Sequence, residues 1–179
     1  DADTLQIRSA RSWLPSNDPP SLEVLEQWQQ ASEGNAGQTA HLRKMKHLID
    51  QGQNPPPRRF DTYAVMLGND WCLVTMPHEM FCQYELWVDE AAPFKRTMTF
   101  GYTNGGQGYI AVDKAWAMKE KGGYEAGSLP SWGSNGSMSG YFGPPRVGSE
   151  GIIKDTISSH WSGHKSDKQK QQNSANDDK

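Results

Sequence analysis

Two apolar runs set apart by three turn-forming residues constrain this chain most. Phe60 to Leu67 and Trp71 to Met76 are rich in β-branched and aromatic side chains, and Gly68-Asn69-Asp70 lies between them. Glycine and asparagine accept the backbone angles of a tight reversal, so the sequence predicts a β-hairpin here. Pro77 ends the second strand.

The rest is read from periodicity and breakers. Leu5 to Arg8 is a short strand, followed by turns at Pro15, Pro19 and Pro20. Ser21 can cap a helix with Leu22, Leu25 and Trp28 on one face. Gly34 to Gly37 breaks it, and a second helix carries Leu42, Met45, Leu48 and Ile49 until Gly52 and Pro55-Pro56-Pro57. A third helix is expected from Glu79 to about Asp89, with Met80, Tyr84, Trp87 and Val88 inward. Ala92-Pro93-Phe94 precedes a strand from Thr97 to Thr103. Gly108 to Val112 reads as extended, and Lys114 to Lys119 as a short helix stopped by Gly122-Gly123. Residues 127–149 form a long Gly/Ser/Pro-rich loop holding Trp132, Tyr141 and Phe142. Glu150 opens a last helix with Ile153, Ile157 and Trp161 at four-residue spacing. Residues 165–179 read as a polar, disordered tail. The fold class is mixed α/β: a partial sheet from 60–67, 71–76 and 97–103 with helices packed on it.

A chain of 179 residues with 35% hydrophobic content can hold a moderate core, much of it aromatic, with seven Trp, six Tyr and five Phe. The net charge of −3, without a basic stripe, gives no reason to expect nucleic acid. No apolar run is long enough to cross a bilayer. Asp1 at the start suggests a processed or truncated product. Cys72 and Cys82 both sit in apolar company and read as buried thiols.

Glu79 stands where a strand ends and a helix is expected to begin. A helix start stabilises a carboxylate through its dipole and free N–H groups, which is one account of the residue. The other makes it a zinc ligand or general base at the rim of a sheet. Tyr109 and Tyr124 each follow a glycine cluster. Gly105, Gly106 and Gly108 let the backbone take up positive φ or approach a ligand, and Asn104 can bridge turn amides. A bound Zn²⁺ draws a ligating phenol toward phenolate. A neutral phenol can instead donate to a developing oxyanion, worth about 3 kcal/mol. Of the histidines, His41 and His47 are expected on the polar side of the second helix. His78 should point away from Glu79, and His160 and His164 belong to a fraying helix end. By motif alone there is no complete catalytic centre.

Taken together, Leu73-Val74-Thr75-Met76-Pro77-His78-Glu79-Met80-Phe81, Ala92-Pro93-Phe94, Gly101-Tyr102-Thr103-Asn104 through Gly108-Tyr109-Ile110, and Gly122-Gly123-Tyr124-Glu125 resemble the neutral/alkaline non-lysosomal ceramidase family. The nearest likeness is to its shorter bacterial members. With Leu14-Pro15-Ser16 added, the likeness covers most of residues 1–126. In that family a zinc ion held by two histidines, a glutamate and a tyrosine hydrolyses the amide of an N-acylsphingosine. The resemblance implies Glu79 and Tyr109 as zinc ligands. It implies Tyr124 as the tyrosine contacting the scissile amide, and Asn104 and Gly108 as support for the turn. His78 departs from the pattern, standing where the family has a small residue, commonly glycine. The family's two histidine ligands lie upstream, and none of the five histidines here matches them. The resemblance therefore implies the C-terminal part of a ceramidase-like catalytic domain, over residues 1–164. Its substrate would be a lipid-like N-acyl compound, its partner the other half of the domain, and its setting secreted or periplasmic. Alone it would be inactive. The alternative is a non-catalytic remnant that uses the aromatic Gly-rich loop to bind lipid, glycan or protein.

Overall fold

The hairpin forms where the alternation placed it. In a computed structural model, which describes residues 4–106, 108–123, 125–126 and 145–164, strand β2 (Arg58–Leu67) pairs antiparallel with β3 (Trp71–Thr75). Leu67 lies opposite Trp71, and Gly68 turns the chain at φ +54°. The architecture is mixed α and β: a four-stranded mixed sheet with flanking helices. The chain divides into two compact units. One comprises Asp1–Ser12, Phe60–Gly106 and Gly151–Lys179; the other Trp13–Arg59 and Gln107–Glu150.

The first unit holds the sheet, in the order β1 (Leu5–Leu14), β2, β3, β5 (Arg96–Phe100). Strand β1 runs Leu5–Leu14, well beyond the four residues expected, because Ser9, Ala10 and Ser12 continue the alternation without strong strand formers. Strand β5 (Arg96–Phe100) pairs parallel with β3 and starts and ends earlier than Thr97–Thr103. Ala64, Met66, Cys72 and Val74 share one buried face. Helix α3 (Cys82–Ala91) and helix α5 (Ser149–Ser158), which continues as a 3-10 turn Ser159–Trp161, lie over it. The Thr97 hydroxyl donates to Asp89 of α3, and the His160 ring lies 3.4 Å from the Thr62 hydroxyl of β2. Trp87 and Trp161 meet with centroids 6.4 Å apart, and the Lys154 ammonium sits over Trp87. Tyr84, Val88, Ile153 and Ile157 complete the core, as their spacing predicted, together with Phe94.

Three expectations fail here. The helix does not begin at Glu79: Glu79–Met80 is a short extended segment, β4, and Phe81 is the N-cap. Cys82 is exposed, because α3 buries its Tyr84/Val88 face instead. Burial pushes the Cys72 thiol up to about 11. His160 is buried rather than at a frayed end, and His164 is half-buried with its ring 5.3 Å from Phe94.

In the second unit, helices α1 (Leu22–Ala31) and α2 (Ala36–Asp50) pack through Leu25, Leu42 and Met45, flanked by Trp28, Leu48 and Ile49. Ser21 caps α1 by accepting from the Val24 N–H, and Asn35 caps α2 by accepting from Gln38. His47 is exposed as expected, but His41 is buried, one position from Leu42 and four from Met45 on the packed face. Beyond β6 (Tyr109–Ile110), helix α4 (Asp113–Ala117) leads to a 3-10 turn at Lys119–Gly122. The Asp113 N–H donates to the Glu150 carboxylate at 2.8 Å, and the Glu150 N–H to Asp113 at 3.4 Å. Each acid thus satisfies a free amide at the other helix start. Ser16 bridges to Pro145, and Arg146 pairs with Asp18. Residues 127–144, with Trp132, Tyr141 and Phe142, and the tail 165–179 lie outside the described residues.

Candidate functional site

The segment that carries Glu79 leaves the end of β3, and the segment that carries Asn104 leaves the end of β5. Four backbone hydrogen bonds tie the two together. Met76 N–H reaches Phe100 O at 2.7 Å, Thr103 N–H reaches Met76 O at 3.1 Å, Tyr102 N–H reaches His78 O at 2.8 Å and His78 N–H reaches Gly105 O at 2.9 Å. The Thr103 hydroxyl adds a bond to Met76 O at 2.8 Å. Parallel pairing of β3 with β5 brings these two exits side by side, a location where sites gather in sheets of this kind.

The backbone of this pair of turns is strained. His78, Tyr102 and Asn104 have φ of +69°, +57° and +60°, and they are the non-glycine residues in the left-handed region among those described. Each such residue costs on the order of 1 kcal/mol or more relative to ordinary backbone. Gly105 and Gly108 adopt positive φ, as the glycine cluster predicted. At Gly101 an added Cβ would come within 3.4 Å of the His78 carbonyl, so the turns approach closely there.

His78 and Glu79 point apart, as expected. The His78 ring is buried 6.5 Å from Phe60, whereas the Glu79 carboxylate reaches the surface and accepts the Tyr102 hydroxyl at 2.9 Å. Tyr102 was not singled out by its sequence, and no spacing rule would have found it, since its approach depends on its own left-handed backbone. Its hydrogen bond to Glu79, with lesser help from desolvation and the carboxylate charge, raises its phenol above the ordinary tyrosine range. Replacing Glu79 by glutamine should return that phenol to ordinary titration. Ultraviolet difference titration of the Glu79→Gln and Tyr102→Phe chains against the natural one tests this. Identical high-pH profiles in all three would contradict it.

The remaining sequence-derived residues are placed as follows. Asn104 is exposed on the second turn. Gly108 and Tyr109 belong to the other compact unit, where Tyr109 is half-buried on β6 ahead of buried Ile110 and Ala111. Tyr124 lies outside the described residues. Among the described residues no three His, Cys, Asp or Glu side chains converge. The Glu79 carboxylate with its bound phenol is a hard-oxygen donor pair. A catalytic zinc takes three or more protein ligands, often histidine, so the described residues do not make such a site by themselves. No helix among them is long and apolar enough to cross a membrane. Comparison with protein-family models, with curated proteins and with solved structures found no match in any of the three.

Proposed function

We propose that this chain is part of a zinc-dependent amide hydrolase of the neutral ceramidase type. Its substrate class would be lipid-like N-acyl compounds such as N-acylsphingosine. Glu79 and Tyr109 would serve as zinc ligands, Tyr124 as the phenol at the scissile amide, and Asn104 and Gly108 as turn support. The observation that carries this reading is the strained double turn at the ends of β3 and β5. It presents the Glu79 carboxylate at the surface while burying its neighbour His78. Strain of this kind persists where the surrounding structure holds it, and it clusters at functional sites. The left-handed backbone at His78 also accords with the family's preference for glycine at that position. The described residues do not by themselves complete the donor set, so the isolated chain is proposed to be inactive. The histidine ligands would come from another half of the domain.

Metal analysis and a panel of N-acyl amides tests the reading, applied to the longest natural polypeptide that contains this sequence. The expected result is bound zinc and amide cleavage, with zinc affinity reduced at least tenfold in Glu79→Ala. A polypeptide that binds no zinc, or whose Glu79→Ala variant keeps full affinity and activity, refutes it. The alternative, a non-catalytic binding remnant, rests on the 127–149 loop, most of which lies outside the described residues.

A further inference from the structure

The sheet of the first unit has two apolar faces, and the described helices of that unit cover only one. On the other, paired residues line up in rows: Val65, Leu73 and Met98 in one, Leu67, Trp71 and Arg96 in the next, and Tyr63, Thr75 and Phe100 in a third. Leu5, Ile7, Leu67, Trp71, Met98 and Phe100 are each between 40% and 65% exposed. All-parallel sheets are covered on both faces, and here the β3/β5 pair is parallel while β2/β3 is antiparallel. Its rows of large apolar side chains, rather than its pairing, build this face like an interior surface.

We infer that this face packs against its own counterpart on a second copy of the chain, sheet against sheet, in a two-fold dimer. Two observations select this occupant. The six side chains together expose roughly 600 Å² of apolar surface, so two copies would bury about 1,200 Å², within the range of specific interfaces. Arg11 pairs with Asp61 at 2.6 Å, so that pair adds no like-charge repulsion between identical faces. The Arg96 guanidinium keeps its charge, 5.6 Å from the centre of the Trp71 ring. This inference is independent of the amide-hydrolase reading.

Sedimentation equilibrium on the whole chain tests it. The expected mass is twice 20.0 kDa at micromolar concentration. Ile7 and Phe100 lie on the two edge strands and are exposed, so Ile7→Lys with Phe100→Lys should leave the circular dichroism unchanged. The pair should weaken self-association at least thirtyfold, the scale of an interface hot spot. Leu86→Lys is the control: Leu86 is exposed on α3, on the covered side of the sheet, and its replacement should not change the mass. A monomer at about 100 µM overturns the inference, as does a dimer indifferent to the double substitution. Polydisperse aggregation relieved equally by Leu86→Lys overturns it too.

Discussion

Replacing Gly122 with alanine should lower the melting temperature by about 10 °C, a loss of about 3 kcal/mol or more. Gly122 closes the 3-10 turn after α4, and its φ is not positive, so the reason is space rather than backbone freedom. An added Cβ would lie 2.2 Å from the Ala115 carbonyl oxygen and 2.9 Å from the Ala126 Cβ. The nearer obstacle is backbone in the middle of α4, which accepts a bond from the Met118 N–H. It cannot retreat without unwinding that helix. Gly151→Ala is the matching control: nothing lies within 4 Å of its Cβ position in α5. Alanine there should stabilise the chain by about 0.5 kcal/mol through helix propensity and a less flexible unfolded state. Thermal denaturation of both variants reads the difference, and equal effects would show that the close approach at Gly122 is relieved at little cost.

Acid should destabilise the fold through His160. Burial, with a smaller contribution from the nearby Arg8 charge, depresses this imidazole from 6.5 to about 4. The unfolded chain therefore takes up a proton below pH 6.5 that the folded chain refuses until about pH 4. The contribution is whole above pH 6.5 and is lost as pH falls through that window, on the order of 2 kcal/mol after solvent screening. His41 is also depressed by burial and by Lys44, and it adds in the same direction. Urea denaturation of the natural chain and His160→Gln, at several values between pH 7 and pH 4, isolates this contribution. The variant should show the shallower pH dependence. Parallel curves would mean that His160 takes up its proton in the folded state without penalty.

These histidines mark where the sequence was legible and where it was misread. The hairpin, the Ser21 cap, and the Ile153, Ile157, Trp161 stripe were set by local chemistry, and local chemistry is visible in a string of letters. The burial of His160 was visible too, since it lies seven residues after Ile153 on the same face. Its polarity and the glycines and serines around it argued wrongly for exposure. His41 repeats the lesson, four residues before Met45. Glu79 was misplaced for a different reason. Pro77 and the apolar run after it suggested a helix start, but the parallel strand β5 and its following turn hold residues 76–78 in a bend with His78 left-handed and leave Glu79–Met80 extended, a pairing that no local signal contains. The partnership of Glu79 with Tyr102 was likewise out of reach, because it depends on two turns 23 residues apart meeting through left-handed backbone.

The reciprocal bonds between Asp113 and Glu150 tie together two helix starts separated by 37 residues. Whatever the chain does between them, its ends are already fixed, so lengthening that stretch carries only the slow logarithmic penalty of closing a longer loop, about 0.6 kcal/mol per doubling. The clasp thus uncouples the anchoring of the two helix starts from the number of residues that join them.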